Sequence, residues 1–452
     1  MKAWFGAPAA LLLLASPAAA QDHMGHDMPM PAQTAPAAPQ EPAMDMDMDM
    51  PGMSDMGPQS AHPMAEAMEG ALGPYAFNRE ASGTSWQPDT SSHHGIHAHA
   101  GQWMIMTHAL LNGVYDWQDG PRGGEQAFVS GMLMSTARRD LANGDTLNLR
   151  AMLSPDPLMG ARGYPLLFET GETANGMTPL TDRQHPHDLF MELSASYAHR
   201  LTASDSVFVY GGLPGEPAFG PPAFMHRMSA ADSPEAPITH HWLDSTHITF
   251  GVLTAGWVHD TWKIEASRFR GREPDEHRYN IESGDLDSSA VRVSWNPTQR
   301  LALQVSWADL TSPEQLEPDQ NETRWSASGI YTQPMGDHGW WSTTLAFGRK
   351  QRSGGGANLD AWLLESAYHP NEAWTFFARG ERVDNDELEG SHGPVRTVNR
   401  LSAGAIRDWR INEHAVFGVG ALVEQDVSPS ALDSAYGGDP QGAMGFVRLK
   451  IE

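Results

Sequence analysis

The 452-residue chain carries 56 acidic and 29 basic side chains, a formal charge of −27, which leaves no basic surface for phosphate, excludes nucleic acid as a partner and favours cations. The absence of cysteine rules out disulfides, thiolate metal sites and cysteine nucleophiles. Against it stand 24 Met and 21 His, clustered in the chain, so soft-metal chemistry has thioether and imidazole to work with.

Lys2, the apolar run from Ala9 to Leu14 and the small residues Ala18, Ala19 and Ala20 before Gln21 have the layout of a cleaved export leader over residues 1–20. No later stretch reaches the roughly 20 consecutive apolar residues of a spanning helix, so membrane residence requires a barrel. Residues 21–92 are rich in Pro, Ala, Met and Asp and poor in β-branched and aromatic side chains, which predicts a disordered periplasmic tail.

That tail carries the densest chemistry. His23, Met24, His26, Met28 and Met30 come first, then Met44, Met46, Met48 and Met50 alternating with Asp, then Met53 and Met56. Thioether selects Cu(I) or Ag(I), whereas imidazole and carboxylate suit Cu(II) and Zn(II), so the mixture is expected to bind copper in either oxidation state. At the junction that follows, His93, His94, His97 and His99 form a candidate Cu(II) or Zn(II) clamp, since alternate residues of an extended chain share a side.

Beyond residue 93 the pattern alternates with a period of two. It predicts about 16 strands at 102–117, 125–140, 145–154, 188–201, 205–213, 246–259, 261–270, 288–296, 300–309, 322–333, 340–350, 357–369, 373–384, 394–410, 414–426 and 441–452. The connections alternate short and long, the long ones including 155–187, 213–245, 271–287 and 426–440. That rhythm predicts a transmembrane antiparallel up-and-down β-barrel over 93–452 with short periplasmic turns and long outer loops. Tyr197, Phe208, Trp257, Trp262, Trp295, Trp341, Trp374 and Trp409 lie near short turns, where an aromatic girdle belongs.

Within the hairpin of the strands at 188–201 and 205–213, Leu189, Met191, Leu193, Ala195 and Tyr197 are expected on the apolar outer face. Leu301, Leu303, Val305 and Trp307, with Phe417, Val419, Ala421 and Val423, should also face lipid. Arg150, Glu192, Lys263, Glu265, Arg292, Gln304, Arg379, Glu381 and Arg400 should face a wet lumen. If Trp103 and Ile105 face lipid, then Met104, Met106 and His108 face the lumen beside Met132, Met134 and Met152, a sulfur-lined patch fit for a soft ion. The bland alternative is methionine as gap filler.

A further candidate is His185, His187 and Asp188 in the first long loop, with Met225, His226, Met228, His240 and His241 in the next. Two His and a carboxylate make a metal site or part of an acid/base set, although such residues more often tie loops together. No nucleophile-elbow, His-Glu-x-x-His or phosphate-loop pattern is present.

The Met-Asp-Met repeats behind an export leader and ahead of a barrel resemble the copper-resistance outer-membrane protein B family. The resemblance implies copper handling. Taken with the barrel pattern, the expectation is a Gram-negative outer-membrane protein with lipid, metal ions and periplasmic copper-handling proteins as partners, and no turnover. A general porin with an incidental tail and a barrel hydrolase or metalloenzyme are the alternatives.

Overall fold

A computed structural model of the protein describes residues 68–452. The export leader and the ligands expected from His23 to Met56 lie outside the described residues.

In chain order the strands are β1 (Ile96–Ala100), β2 (Trp103–Gln118), β3 (Gly124–Asp140), β4 (Thr146–Leu153), β5 (Tyr164–Thr173), β6 (Pro179–Gln184), β7 (Phe190–Arg200), β8 (Asp205–Gly212), β9 (Val252–His259), β10 (Trp262–Phe269), β11 (Ser288–Thr298), β12 (Leu301–Leu310), β13 (Glu322–Met335), β14 (Gly339–Arg352), β15 (Leu359–Asn371), β16 (Trp374–Asn385), β17 (Arg396–Asn412), β18 (Ala415–Val427) and β19 (Gln441–Ile451). Setting aside β1, which pairs only with the start of β2, and the separate β5–β6 hairpin, 16 antiparallel strands follow one another and close where β19 pairs with β2. Closure leaves no unpaired edge at membrane depth.

The alternation sorts side chains as the sequence predicts. Val305, Leu345, Leu364, Leu401, Val419 and Val423 stand exposed on the outer face, Val305 at 58%, which only an apolar surround makes favourable. Inward, Arg292, Arg324, Arg400 and Arg448 are fully buried, and each meets a carboxylate; Arg400 reaches Asp426 at 2.8 Å and Arg448 reaches Asp408 at 2.7 Å. Tyr197, Trp257, Trp262, Trp295, Trp341 and Trp409 are exposed near the short turns, and Trp262 stacks on Trp295 with ring centroids 4.9 Å apart.

Phe208 departs from that girdle. On β8 the even positions Ser206, Phe208 and Tyr210 point inward, so its ring packs on Leu72, Tyr75, Trp86, Ala198 and Val258. Met191 also departs. The β4–β7 pairing steps from Met152↔Glu192 to Leu153↔Phe190, leaving Met191 as the extra residue of a bulge, and its side chain turns into the lumen with 0% exposure.

Three segments fill the lumen. The first is residues 68–92, which mean composition assigns to the unstructured tail. A few side chains override that average: Leu72, Tyr75, Phe77 and Trp86 are buried, and Glu80 accepts from the backbone N–H of Ala71 and from the Tyr75 hydroxyl. Asn296 and Arg150 of the wall donate to backbone carbonyls of this segment. The second is the β5–β6 hairpin within the long loop 155–187. The third is 213–251, which reaches past residue 245 because β9 begins at Val252; residues 245–251 hold a short 3-10 turn and a bend instead of the expected strand start.

Candidate metal centre

The last two segments bring histidines from three places together. β6 ends at Gln184 and feeds His185-Pro186-His187; a single helical turn, His240–Leu243, presents His240; the 3-10 turn Ser245–His247 presents His247. One ligand atom from each of His187, His240 and His247 lies within 4.8 Å of the other two, and all three residues are buried.

Each ring is fixed from behind. Nδ1 of His187 donates to Asp156 Oδ2 at 2.8 Å, Nδ1 of His240 to Asp244 Oδ1 at 2.7 Å, and Nδ1 of His247 to the Asp244 backbone carbonyl at 2.7 Å. A carbonyl can only accept, so His247 carries its proton on Nδ1 and offers the Nε2 lone pair; the carboxylates impose the same tautomer on the other two. Carboxylate or carbonyl behind imidazole is the outer shell that metal-ligating histidines use. Nε2 of His187 and of His247 is buried without a hydrogen-bond partner, which is costly unless something occupies the space between them.

Electrostatics favour the same state. Burial first, then neighbouring histidines, holds His247 well below the ordinary imidazole range; burial also lowers His240 against the opposing pull of Asp244. Burial would raise Asp244, but Arg227 and His240 outweigh it and keep it ionised. Arg227 donates to Asp244 Oδ2 at 2.7 Å and to Glu365 Oε1 at 2.6 Å, anchoring the loop to β15. Phe224 closes one side, its ring 5.5 Å from that of His240.

A thioether cluster lies nearby. Met132, Met134, Met152 and Met191 pack with Ile248 and Phe250, and Met225 packs against them. Met134 lies opposite both His108 on β2 and Met152 on β4, which verifies the inward register expected for this patch. Nε2 of His108 and of His226 is buried without a partner, and burial pushes His226 down to about 3.

The other expected ligands are placed as follows. His185 lies beside the triad, its ring centroid 6.2 Å from that of His240. Asp188 turns away to Arg278, 3.2 Å distant, so the expected His-Pro-His-Asp set contributes His187 without its carboxylate neighbour. His93 is turned into the plug, its Nε2 at 2.7 Å from the Glu80 carbonyl oxygen. His97 and His99 stand exposed on β1 opposite Met106 and Met104, His94 is exposed, and the four are not gathered into a clamp. Met106 is buried and Met104 half-buried. Sequence reasoning missed His247, Asp156 and Asp244. Asp244 follows His240 at helical spacing, a usable signal; His247 was absorbed into the expected strand.

A comparison with known protein families finds no match, and neither does one with curated proteins. Among solved structures, OmpF of Salmonella typhi, determined in complex with daunomycin, is similar at TM-score 0.51 and 10% identity, over 79% of this chain and 100% of that one. OprB of Pseudomonas putida at high pH gives TM-score 0.49 and 9% identity over 77% of this chain and 94% of that one. The anion-selective porin from Comamonas acidovorans gives 0.44 and 10% over 77% and 99%. The first likeness establishes the fold, a transmembrane β-barrel of the outer-membrane kind.

Proposed function

We propose that this chain is an outer-membrane barrel of Gram-negative bacteria that binds transition-metal ions, copper first, inside a plugged lumen, and that it serves metal sequestration or tolerance without turnover. The observation that carries the reading is the convergence of His187, His240 and His247 with every Nδ1 already committed. Three imidazoles suit Cu(II) and Zn(II), and the adjoining methionines suit Cu(I) or Ag(I). The Met/His-rich residues from His23 to Met56, on the periplasmic side in this reading, would collect the ion, and the resemblance to copper-resistance outer-membrane proteins agrees with that cargo. Periplasmic copper-handling proteins are the partners that fit.

The porin alternative needs a clear water path, and three packed segments oppose it. Isothermal titration of the folded, detergent-purified chain with Cu(II) tests the proposal: H187Q/H247Q should lose one tight site, and the variant should lower copper tolerance in cells. Unchanged binding stoichiometry and tolerance would defeat it.

A further inference from the structure

The long-loop end of the barrel holds a cluster of arginines that the metal reading does not use. Loop 119–123, between β2 and β3, stands at the end opposite the Asn143-Gly144 turn, and Pro165 of the β5–β6 hairpin packs beside it. Two adjoining cavities open here. One, of about 290 Å³, is lined by Arg122, Arg162, Thr181 and Arg183; the other, of about 470 Å³, shares the last three and adds Asn175 and Thr178. The larger has the size of a small-molecule site.

Charge singles these cavities out. The chain has 56 acidic groups for 29 basic ones, and the inward arginines of the wall meet carboxylates. Arg162 does not: it is exposed, and its guanidinium makes no ion pair or hydrogen bond among the described residues. Arg183, half-buried, has no carboxylate either. Its Nε donates to the Arg162 carbonyl at 2.7 Å and its Nη2 to Gln126 Oε1 at 2.6 Å and the Gly163 carbonyl at 2.7 Å, which fixes the plane of the guanidinium and leaves Nη1 uncommitted. Burial first, then the like charge of Arg162, lower Arg183 from the ordinary arginine value. An anion between the two would oppose both effects.

The only carboxylate in either lining is already engaged. Asp182 accepts from the Phe168 N–H at 2.9 Å and from the Tyr436 hydroxyl at 2.8 Å, and Arg122 lies 3.2 Å from its other oxygen. Three guanidinium groups therefore face one carboxylate. The backbone contributes to this convergence. A regular strand turns the middle of three residues away, but Asp182 holds φ at 59°, and Thr181, Asp182 and Arg183 all line the smaller cavity.

We propose that Arg162 and Arg183, with Arg122 and Thr181 beside them, bind a small oxyanion, a carboxylate or a phosphate, in the mouth formed by the long loops. Guanidinium meets either group with paired N–H donors, and a plane already fixed, as that of Arg183 is, loses little freedom on binding. The site is independent of the histidine triad and is tested without metal.

Lipid A carries phosphate on the outer leaflet, so the metal-free full chain, folded in detergent, is titrated calorimetrically with inorganic phosphate, with tricarballylate and with lipid A micelles. R162Q removes no hydrogen bond of the fold. It should weaken binding of the free anions about tenfold, the value of one charge-assisted hydrogen bond, with R162K in between. Sensitivity to R162Q confined to lipid A keeps the site and assigns its anion to the leaflet. Wild type that binds none of the three, or R162Q that binds them as wild type does, overturns the proposal.

Discussion

The carboxylate of Asp244 holds His240 with one oxygen and Arg227 with the other, each at 2.7 Å, while its own backbone carbonyl holds His247. One residue therefore sets two of the three rings and, through Arg227 and its contact with Glu365, ties their loop to the wall.

Replacing Asp244 with Asn should weaken Zn(II) binding at the triad about 10–100-fold, the usual cost of removing an outer-shell carboxylate behind a ligating histidine. Titration calorimetry of the folded variant checks this; unchanged affinity would show that the orientation of His240 is set elsewhere.

Replacing Arg227 with Met removes the buried cation shared by Asp244 and Glu365, leaving Asp244 without an arginine and Glu365 with only Arg379, 3.5 Å away. Breaking such a pair costs about 3–5 kcal/mol. The cost should fall on the loop, since the wall keeps its strand hydrogen bonds: hydrogen exchange in 213–251 should accelerate while β15 and β16 stay protected. Uniform loss across the barrel would contradict a plug that opens independently.

Acidification gives a signed expectation. His240 and His247 are held below the ordinary value of 6.5, so the folded plug binds fewer protons than the unfolded one as pH falls through 6.5. Stability from these groups is complete above 6.5 and declines below it, and the neutral ligand form outlasts that of a free imidazole. Zinc release followed against pH should have its midpoint below 6.5; a midpoint above it would contradict the burial argument.

The filled lumen predicts low conductance. In planar bilayers the full chain should pass little current, whereas deletion of 158–186, which removes the β5–β6 hairpin, should raise it to steps smaller than those of an open 16-stranded barrel, because residues 68–92 and 213–251 remain inside. Large steps from the unaltered chain would show that the inner segments leave an aqueous route.

The barrel was legible because its signals are local: period-two alternation, such as Val305 outside and Gln304 inside, and short turns such as Asn143-Gly144 mark strands and connections without knowledge of distant contacts. Met191 was misplaced because a bulge shifts one residue without altering composition. Residues 68–92 were misread because Trp86 and Tyr75 gain their burial from strands more than a hundred residues away. The metal centre was half legible. The clustering of His185, His187, His240 and His241 is visible in the chain, but which of them meet depends on how two loops fold back into a cylinder, and His247 looks like part of the strand expected at 246–259 until β9 is seen to begin at Val252.

The most direct test of the central claim is an anomalous difference map at the zinc edge, from crystals of the full chain grown with Zn(II). The account predicts a peak about 2.0–2.1 Å from Nε2 of each of His187, His240 and His247. A well-ordered lumen with those three rings in place and no peak between them would contradict it.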